Sequence, residues 1–211
     1  MSLVSALDHG ADVPDRLTFP KPRRSSGLTL EACISQRRSV RGFCDRALDV
    51  NQIGLLLWAA QGVTADEGKR AAPSAGALYP LELYVAIGHV VDLSPGVYRY
   101  LPARHEMLLI QAGGRHEELV VAAGGQDWIA TAPAIICIAA GFDRTTTKYG
   151  NRGRGYVYIE AGHAAQSLML EAVTLGLATT MVGAFDDSEA KRILHLDGDE
   201  TPLCLIPVGA P

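Results

Sequence analysis

Apolar and polar residues follow two spacings along this chain, one helical and one typical of strands. Positions 155–175 carry small and apolar residues on one broad face and a polar stripe, with Glu160 and His163, on another. This spacing predicts the longest helix of the chain. Shorter segments with the same periodicity predict a helix that opens at Thr29, and further helices over positions 51–63, 117–123 and 188–194.

Other segments are rich in β-branched and apolar residues and predict strands. The segment 134–140 is apolar throughout, as is typical of a strand buried on both faces. Pro95 and Gly96 introduce a predicted hairpin of strands 97–101 and 107–111. The remaining predicted strands cover positions 82–88, 179–183 and 203–208.

Helices and strands alternate without a regular βαβ repeat. This order predicts an α+β fold, or a three-layer sandwich around a mixed sheet. The first 27 residues contain few large apolar groups and are expected to form an arm or extension. Residues 28–211 are expected to form a single domain, since their number suits one hydrophobic core.

Composition and charge narrow the functional classes. The formal net charge of -4 argues against a nucleic-acid partner. No run approaches the roughly 18 apolar residues of a membrane span, so no membrane association is expected. The four cysteines are far apart and form no C-x-x-C pair, so we expect no metal site. Cys33, Cys137 and Cys204 have apolar neighbours and are predicted to be buried thiols in a reducing cytoplasm.

An arginine-rich segment follows the first predicted helix. Three guanidinium groups and a hydroxyl lie within five positions, on Arg37, Arg38, Ser39 and Arg41. Permanently charged, bidentate donors beside a small hydroxyl are suited to a phosphate. Arginines at the end of a helix also complement its dipole, so the segment alone leaves both interpretations open.

A segment of small residues, APSAGALYP at 72–80, directly precedes a predicted strand. It is either a plain turn or a loop whose backbone amides approach an anion or a ring edge. Ser74 is a weak candidate for a hydrolase nucleophile, because the G-x-S-x-G elbow is absent.

Three further groups have a structural and a functional interpretation. Composition favours a surface loop at Lys148 and Tyr149. Gly183 and Ala184 close a predicted strand, either as a simple turn or where backbone meets a ligand. His163 and Gln166 lie one turn apart and are expected to be an interior hydrogen-bonded pair rather than metal ligands.

Taken together, these segments resemble the nitroreductase family of FMN-dependent oxidoreductases. They are most similar to its SagB-type branch, which includes dehydrogenases that aromatise azoline rings. The resemblance runs in order from about residue 29 to the C-terminus. It rests on RRSVR at 37–41, RAAPSAGALYPLELYV at 70–85, GGQDWIATAPA at 124–134, KYGNRGRGYVYIEAGHAAQSLMLEA at 148–172, GLATTMVGAFDD at 176–187 and LIPVG at 205–209.

The resemblance implies a nitroreductase-like three-layer α-β-α sandwich with a mixed, mainly antiparallel central sheet. It also implies FMN as the cofactor. Gln126 matches a position that meets the polar edge of the flavin. The other implied FMN contacts are Arg37, Arg38, Ser39 and Arg41 at the phosphate and ribityl chain, Pro73, Ser74, Ala75 and Gly76 at the ring, and the backbone of Val182, Gly183 and Ala184 at the reactive ring nitrogen.

Several functional expectations follow from the resemblance. It implies a homodimer with active sites at the interface, where Pro73–Gly76 serve the partner's flavin. It implies ping-pong hydride transfer, with NAD(P)H as a transient reductant or with an azoline-like ring as hydride donor, and a small-molecule or modified-peptide substrate. Lys148 and Tyr149 match a pair implicated in removing the azoline proton. The alternative is a protein that binds, stores or senses FMN without turnover.

Overall fold

The computed structural model describes residues 16–22 and 27–211, which form six α-helices and seven strands. Two short 3-10 helices cover Ala75–Ala77 and Asp127–Thr131. In chain order the elements are β1 (Arg16–Thr18), α1 (Leu30–Gln36), α2 (Val50–Gln61), β2 (Leu81–Ile87), β3 (Gly96–Leu101), β4 (Glu106–Ala112), α3 (His116–Ala122), β5 (Ala134–Ala140), α4 (Asp143–Tyr149), α5 (Arg152–Thr174), β6 (Ala178–Thr179), α6 (Asp187–Ile193) and β7 (Thr201–Gly209).

The described strands form one sheet in the order β1-β4-β3-β2-β5-β7-β6. Every neighbouring pair is antiparallel. Side chains of β5 alternate between two core clusters, with Ile136 and Ile138 on one face and Ile135 and Cys137 on the other. This explains why β5 is apolar throughout, and it confirms the predicted buried strand.

Helices cover both faces of the sheet, which confirms the predicted α-β-α layers. Helices α2 and α5 pack on one face, and α3 and α6 contribute to the core on the other. Helix α2 begins with a capping box in which Asp49 and Gln52 satisfy each other's backbone amides. The predicted apolar face of α5 is buried through Ala161, Ala164 and Leu168.

A helix that the sequence did not predict precedes α5. The prediction of a surface loop at Lys148 and Tyr149 is wrong, because both residues lie in the last turn of α4. The threonine-rich segment 145–147 has low helix propensity and obscures the helix. The following glycines permit a tight junction: Gly150 has a positive φ, and a Cβ on Gly153 would lie 3.0 Å from the Thr145 carbonyl oxygen.

The strand predicted over 179–183 is much shorter than expected. Regular pairing is limited to β6, at Ala178–Thr179, and Val182 makes an isolated bridge with Leu205 farther along. Thr179 also faces Ser39, and its carbonyl oxygen accepts the Val40 amide at 3.1 Å. The segment therefore joins the residues after α1 to β7 and does not continue as a strand.

Part of the expected N-terminal arm packs on the domain. Strand β1 pairs with β4, and Phe19 is buried beside Tyr100 and His105. Residues 1–15 and 23–26 of the arm lie outside the described residues.

The cysteines are all free thiols, and Cys33, Cys137 and Cys204 are buried as predicted, whereas Cys44 is exposed. Among the helices of the described segments, none combines the length and the apolar composition needed to cross a membrane.

Candidate active site

The loop of small residues before β2 forms a strained turn. Gly76, Ala77 and Tyr79 all have a positive φ, which is unfavourable for the two residues that carry a Cβ. The Ser74 hydroxyl accepts the Tyr79 amide at 2.9 Å, and Arg144 donates to the Tyr79 carbonyl at 3.0 Å. We call residues 74–79 the Ser74–Tyr79 turn.

Gly76 brings this turn against the end of α4. A Cβ on Gly76 would lie 2.7 Å from the Tyr149 hydroxyl and 3.0 Å from the Lys148 ammonium nitrogen. The Lys148 ammonium lies 5.4 Å from the centre of the Tyr149 ring, which packs edge-on against Tyr156. Two groups that the sequence predicted separately, the small loop and the Lys-Tyr pair, therefore meet in one place.

A buried polar cluster lies behind the turn. Glu160 on α5 is only 2% exposed, and burial raises its pKa to about 7, against the lowering effects of the Ser74 hydrogen bond and the Arg70 charge. Arg70 donates to the Gln61 side-chain carbonyl at 2.8 Å and lies over the Tyr79 ring. Desolvation lowers the pKa of Arg70. The negative charge of nearby carboxylates partly offsets this lowering.

The arginine-rich segment lies in the connection after α1. Arg37 and Arg38 line a cavity of about 320 Å³, together with residues of α5 and β6. Within residues 16–22 and 27–211, the guanidinium groups of Arg37, Arg38 and Arg41 make no ion pair; Arg38 donates to the Ser35 and Arg37 carbonyls. Arginines beside a cavity and without carboxylate partners suit an anionic ligand.

Gln126 lies near the segment that follows the Val182 bridge. Its side-chain amide donates to the Ala123 carbonyl at 2.9 Å and to the Ala184 carbonyl at 3.4 Å. Val182 is buried, whereas Gly183 and Ala184 are exposed, and a Cβ on Gly183 would meet nothing within 4 Å. The open backbone at Gly183 and Ala184 leaves room for a ligand to approach.

The predicted site residues thus fall into three groups within one chain. Gly76 contacts Lys148 and Tyr149, the arginine-rich segment adjoins β6, and Gln126 adjoins Ala184. In the part of the chain that the structure describes, no hydrogen bond or ion pair joins one group to another. A further cavity of about 340 Å³ between Phe43 and Pro133 contains none of the predicted site residues, so we do not assign it to this site.

Two expectations about α5 are wrong. Glu160 was predicted to lie in a polar stripe, yet it is buried. His163 and Gln166 were expected to form an interior pair, yet both are exposed. One signal in the sequence could have indicated that Glu160 is buried. Its helical phase relative to Ala161 and Ala164 places it at the edge of the apolar face of α5.

Comparisons with known proteins identify the family. The sequence profile of the Nitroreductase family matches residues 34–210. The chain is 46% identical over 182 residues to MJ1384, a candidate nitroreductase of Methanocaldococcus jannaschii; the match covers 86% of this chain and 91% of that protein. The chain therefore belongs to the nitroreductase family of oxidoreductases.

Solved structures agree with this assignment. A candidate nitroreductase of Ralstonia eutropha is similar with a TM-score of 0.83 and 27% identity, over 100% of this chain and 95% of that one. A chain of the Escherichia coli microcin synthetase McbBCD complex, solved with truncated pro-MccB17 bound, has a TM-score of 0.73 at 24% identity, over 100% of this chain and 84% of that one. The second likeness shows a shared fold.

Proposed function

We propose that the chain is an FMN-dependent oxidoreductase that works by ping-pong hydride transfer in a homodimer. The observation that carries the proposal is the contact of Gly76 with Lys148 and Tyr149, because it joins a loop suited to a flat ring with a base and a phenol. Family membership supports the redox class, and the residues below support the cofactor.

The residues available to hold FMN suit its chemistry. Arg37, Arg38 and Arg41 make no ion pair within the described residues, and Ser39 adds a hydroxyl, so this segment would hold the phosphate. Gln126 would face the polar edge of the ring. The backbone of Val182–Ala184 would approach the reactive ring nitrogen, since Gly183 leaves open space there.

A second copy of the chain is proposed to complete the site. Helices α1 and α5 carry exposed apolar side chains, including Ile34 at 55% and Ile159 at 55% exposure. Gly155 and Gly162 of α5 face open space, so a partner helix could approach the backbone closely. A homodimer through these helices would also explain why the Pro73–Gly76 loop makes no hydrogen bond or ion pair with the arginine-rich segment of its own described chain.

The chain supplies proton chemistry at the loop. FMN, when bound, supplies a two-electron centre that accepts a hydride in one half-reaction and gives it up in the other. Aromatising an azoline also removes a carbon-bound proton, and Lys148 would accept that proton in its neutral form. Tyr149, in contact with the same loop, would orient Lys148 or relay the proton.

Two substrate classes are compatible with this machinery. In one, NAD(P)H is the reductant and a nitroaromatic or quinone the acceptor. In the other, an azoline-like ring of a small molecule or modified peptide is the hydride donor and oxygen the acceptor. The similarity to candidate nitroreductases supports the first, and the Lys148–Tyr149 pair supports the second.

Anaerobic flavin reduction tests the proposal. Protein loaded with FMN is mixed with NADH, NADPH or an azoline model, and the flavin absorbance is followed before and after an acceptor is added. Bleaching followed by recovery is expected. Protein that binds FMN yet is inert to every reductant would indicate a storage or sensing role, and protein that takes up no FMN would contradict the cofactor.

A further inference from the structure

Cations outnumber carboxylates along α4 and the first turns of α5. The segment 143–159 has four cations against the carboxylate of Asp143, a net charge of +3 in a chain whose net charge is -4. The four are Arg144, Lys148, Arg152 and Arg154. Arg144 is neutralised by an ion pair with Glu82 at 2.7 Å. Within residues 16–22 and 27–211, the other three cations of the segment make no ion pair.

Two of these cations belong to a connected group of side chains at the Ser74–Tyr79 turn. The Lys148 ammonium lies 5.4 Å from the centre of the Tyr149 ring. The Tyr149 and Tyr156 rings pack edge-on with centres 5.2 Å apart, and the Arg152 guanidinium lies 5.6 Å from the centre of the Tyr156 ring. We call these four residues the Lys148–Arg152 cluster. It begins where Gly76 meets Lys148 and Tyr149, and it ends at the exposed Arg152.

The aromatic ring holds the Arg152 guanidinium without using its hydrogen-bond donors. A guanidinium has five N–H donors in a planar fork, and in the described part of the chain the Arg152 side chain donates none of them to another residue. A cation beside an aromatic face is attracted by the ring, which limits its motion. A guanidinium that is positioned but not neutralised suits a carboxylate or a phosphate, which it can bind through two parallel hydrogen bonds.

Arg154 shows that positive charge alone does not define this place. Arg154 is two residues farther along α5, so its side chain leaves the helix about 200° away from that of Arg152. Its guanidinium lies 4.4 Å from the centre of the Phe142 ring, which packs against Tyr158. No ring contact between described residues joins Phe142 or Tyr158 to the Lys148–Arg152 cluster. Two exposed arginines of one helix therefore differ in whether they adjoin the candidate site.

We propose that Arg152 determines substrate specificity by binding an anionic group, a carboxylate or a phosphate, of the substrate whose reacting ring lies at Lys148 and Tyr149. The inference rests on the proposed function, because the redox site is what brings a reacting ring there. Tyr149 and Tyr156 lie between the two cations of the cluster. A flat substrate would pack along these rings with its charged group at the Arg152 end.

A second copy of the chain is the competing partner for Arg152. Ile159, which is proposed to lie at the subunit interface, follows Arg152 by seven residues and therefore shares its face of α5. The Arg152 side chain would thus lie at the edge of the interface, beside the site that the two subunits share. An ion pair with a carboxylate of the partner would use the same donors, so the experiment also measures dimer dissociation.

The first test compares charged compounds with neutral or less charged analogues. Reduction of 4-nitrobenzoate by the FMN-loaded protein is compared with reduction of its methyl ester, and NADPH is compared with NADH. The first pair tests a carboxylate of the acceptor, and the second tests the additional phosphate of the reductant. Arg152→Gln is expected to raise KM for the more charged member of one pair by about 10-fold, the lower end for a charge-assisted hydrogen bond because Arg152 is exposed.

The division between KM and kcat separates binding from a structural role. A contact that is equally strong in the ground state and the transition state affects KM alone, so kcat and the less charged compound should be unchanged in Arg152→Gln. Arg152→Lys should retain part of the discrimination, because it keeps the charge but loses the planar fork. Arg154→Gln is the matched control, since it removes the same charge from an exposed position of the same helix, and it should leave both comparisons unchanged.

The second test needs neither turnover nor flavin. Benzoate and adenosine 2′-monophosphate are titrated into the full chain without FMN, and the side-chain Nε–H resonance of Arg152 is followed by NMR. At least one of these anions is expected to shift the resonance, whereas benzamide, the neutral analogue of benzoate, is not. A shift in a protein that takes up no FMN would support the anion site and contradict the cofactor, so the two failures are distinguishable.

Three results would overturn the proposal. One is the absence of a shift at Arg152 with either anion. Another is an Arg152→Gln variant that changes the charged and the less charged compounds equally, or no more than Arg154→Gln does. The third is dissociation of the dimer in Arg152→Gln, measured by sedimentation, which would assign the guanidinium to the subunit interface instead.

Discussion

Gly76 lies so close to the end of the Tyr149 side chain that any larger residue at position 76 would have to push the Tyr149 hydroxyl aside. A Cβ there would lie 2.7 Å from the Tyr149 hydroxyl, a distance that real Cβ atoms essentially never show. The positive φ of Gly76, 64°, is a second reason for glycine at this position. Backbone conformation and close approach therefore both depend on the same residue.

Gly76→Ala is expected to displace Tyr149 and Lys148 and to lower turnover by about 100-fold, since a misplacement of about 1 Å can have that effect. The matched control is Gly68→Ala. Gly68 has a φ of 74° but open space around it, so the control has the backbone strain without the collision. Steady-state kinetics and melting temperatures of both variants separate the two effects. Equal loss of turnover in both variants would contradict a specific role for the Gly76–Tyr149 contact.

The arginine-rich segment provides a prediction about cofactor affinity. Arg37→Ala is expected to weaken FMN binding by roughly 1.5–3 kcal/mol, or about 10- to 150-fold in Kd, because a charge-assisted phosphate contact is lost. Ser39→Ala should have a smaller effect, since it removes a neutral hydroxyl. Titration of the apoprotein with FMN measures both. Arg104→Ala, at an exposed position away from the cavity, is the control. Unchanged affinity in both Arg37→Ala and Ser39→Ala would show that the phosphate binds elsewhere.

The sequence predicted the layers well because they depend on local pattern. The apolar segment that became β5 and the apolar face of α5 needed no information from distant residues. Helix α4 was missed because its threonines disfavour a helix locally, and the close approach of Gly153 of α5 to the Thr145 backbone is visible only in the folded chain. The prediction of α4 failed because the periodicity of a single sequence carries no information about packing between elements.

The candidate site was predictable as a set of segments but not as an arrangement. The motifs named the loop, the arginines and the Lys-Tyr pair, yet only the folded chain brings Gly76 to Tyr149. Glu160 was obscure for a related reason. The groups that act on its pKa, Ser74 and Arg70, are distant in sequence, and a glutamate on a long helix is usually exposed.

The exposed apolar side chains of α5 give a prediction about assembly. Ile159→Glu is expected to convert a dimer to monomers and to release FMN, because a buried charge opposes association and the Pro73–Gly76 loop would no longer reach the partner's site. The control is Val121→Glu: Val121 is 77% exposed on α3, in the opposite layer of the fold. Sedimentation with absorbance at the flavin band measures both. A monomer of Ile159→Glu that retains FMN and full activity would contradict the shared site.

Lys148 and Tyr149 distinguish the two substrate classes. If the pair removes the azoline proton, Lys148→Ala should slow oxidation of an azoline model by about 10²- to 10⁴-fold, the usual contribution of a general base. Reduction of a nitroaromatic by NAD(P)H should be unaffected, because water can deliver the protons which that reaction consumes. Tyr149→Phe should show a smaller loss in the same direction, and Lys69→Ala, at an exposed residue, should show none. No azoline oxidation by the wild-type protein, together with full NAD(P)H turnover by both variants, would exclude the base role.

Buried Glu160 predicts an unusual dependence of stability on pH. Its pKa is about 7 in the folded protein against an ordinary value of 4.5, so the folded state binds the proton more tightly than the unfolded state does. Below pH 4.5 the carboxyl is protonated in both states and contributes no penalty. As the pH rises from 4.5 to 7 the unfolded state ionises first, so the free energy of unfolding falls; above 7 the loss is complete. For a shift of this size the loss is about 3 kcal/mol.

Glu160→Gln should abolish that loss, because glutamine has the same shape and no charge to bury. The free energy of unfolding of the variant minus that of the wild-type protein is therefore expected to be about 3 kcal/mol larger at pH 8 than at pH 4. Urea unfolding at both pH values measures the difference, and comparison with Glu67→Gln removes the contribution of general charge effects. A wild-type-minus-variant difference that stays constant from pH 4 to 8 would mean that Glu160 titrates normally in the folded chain.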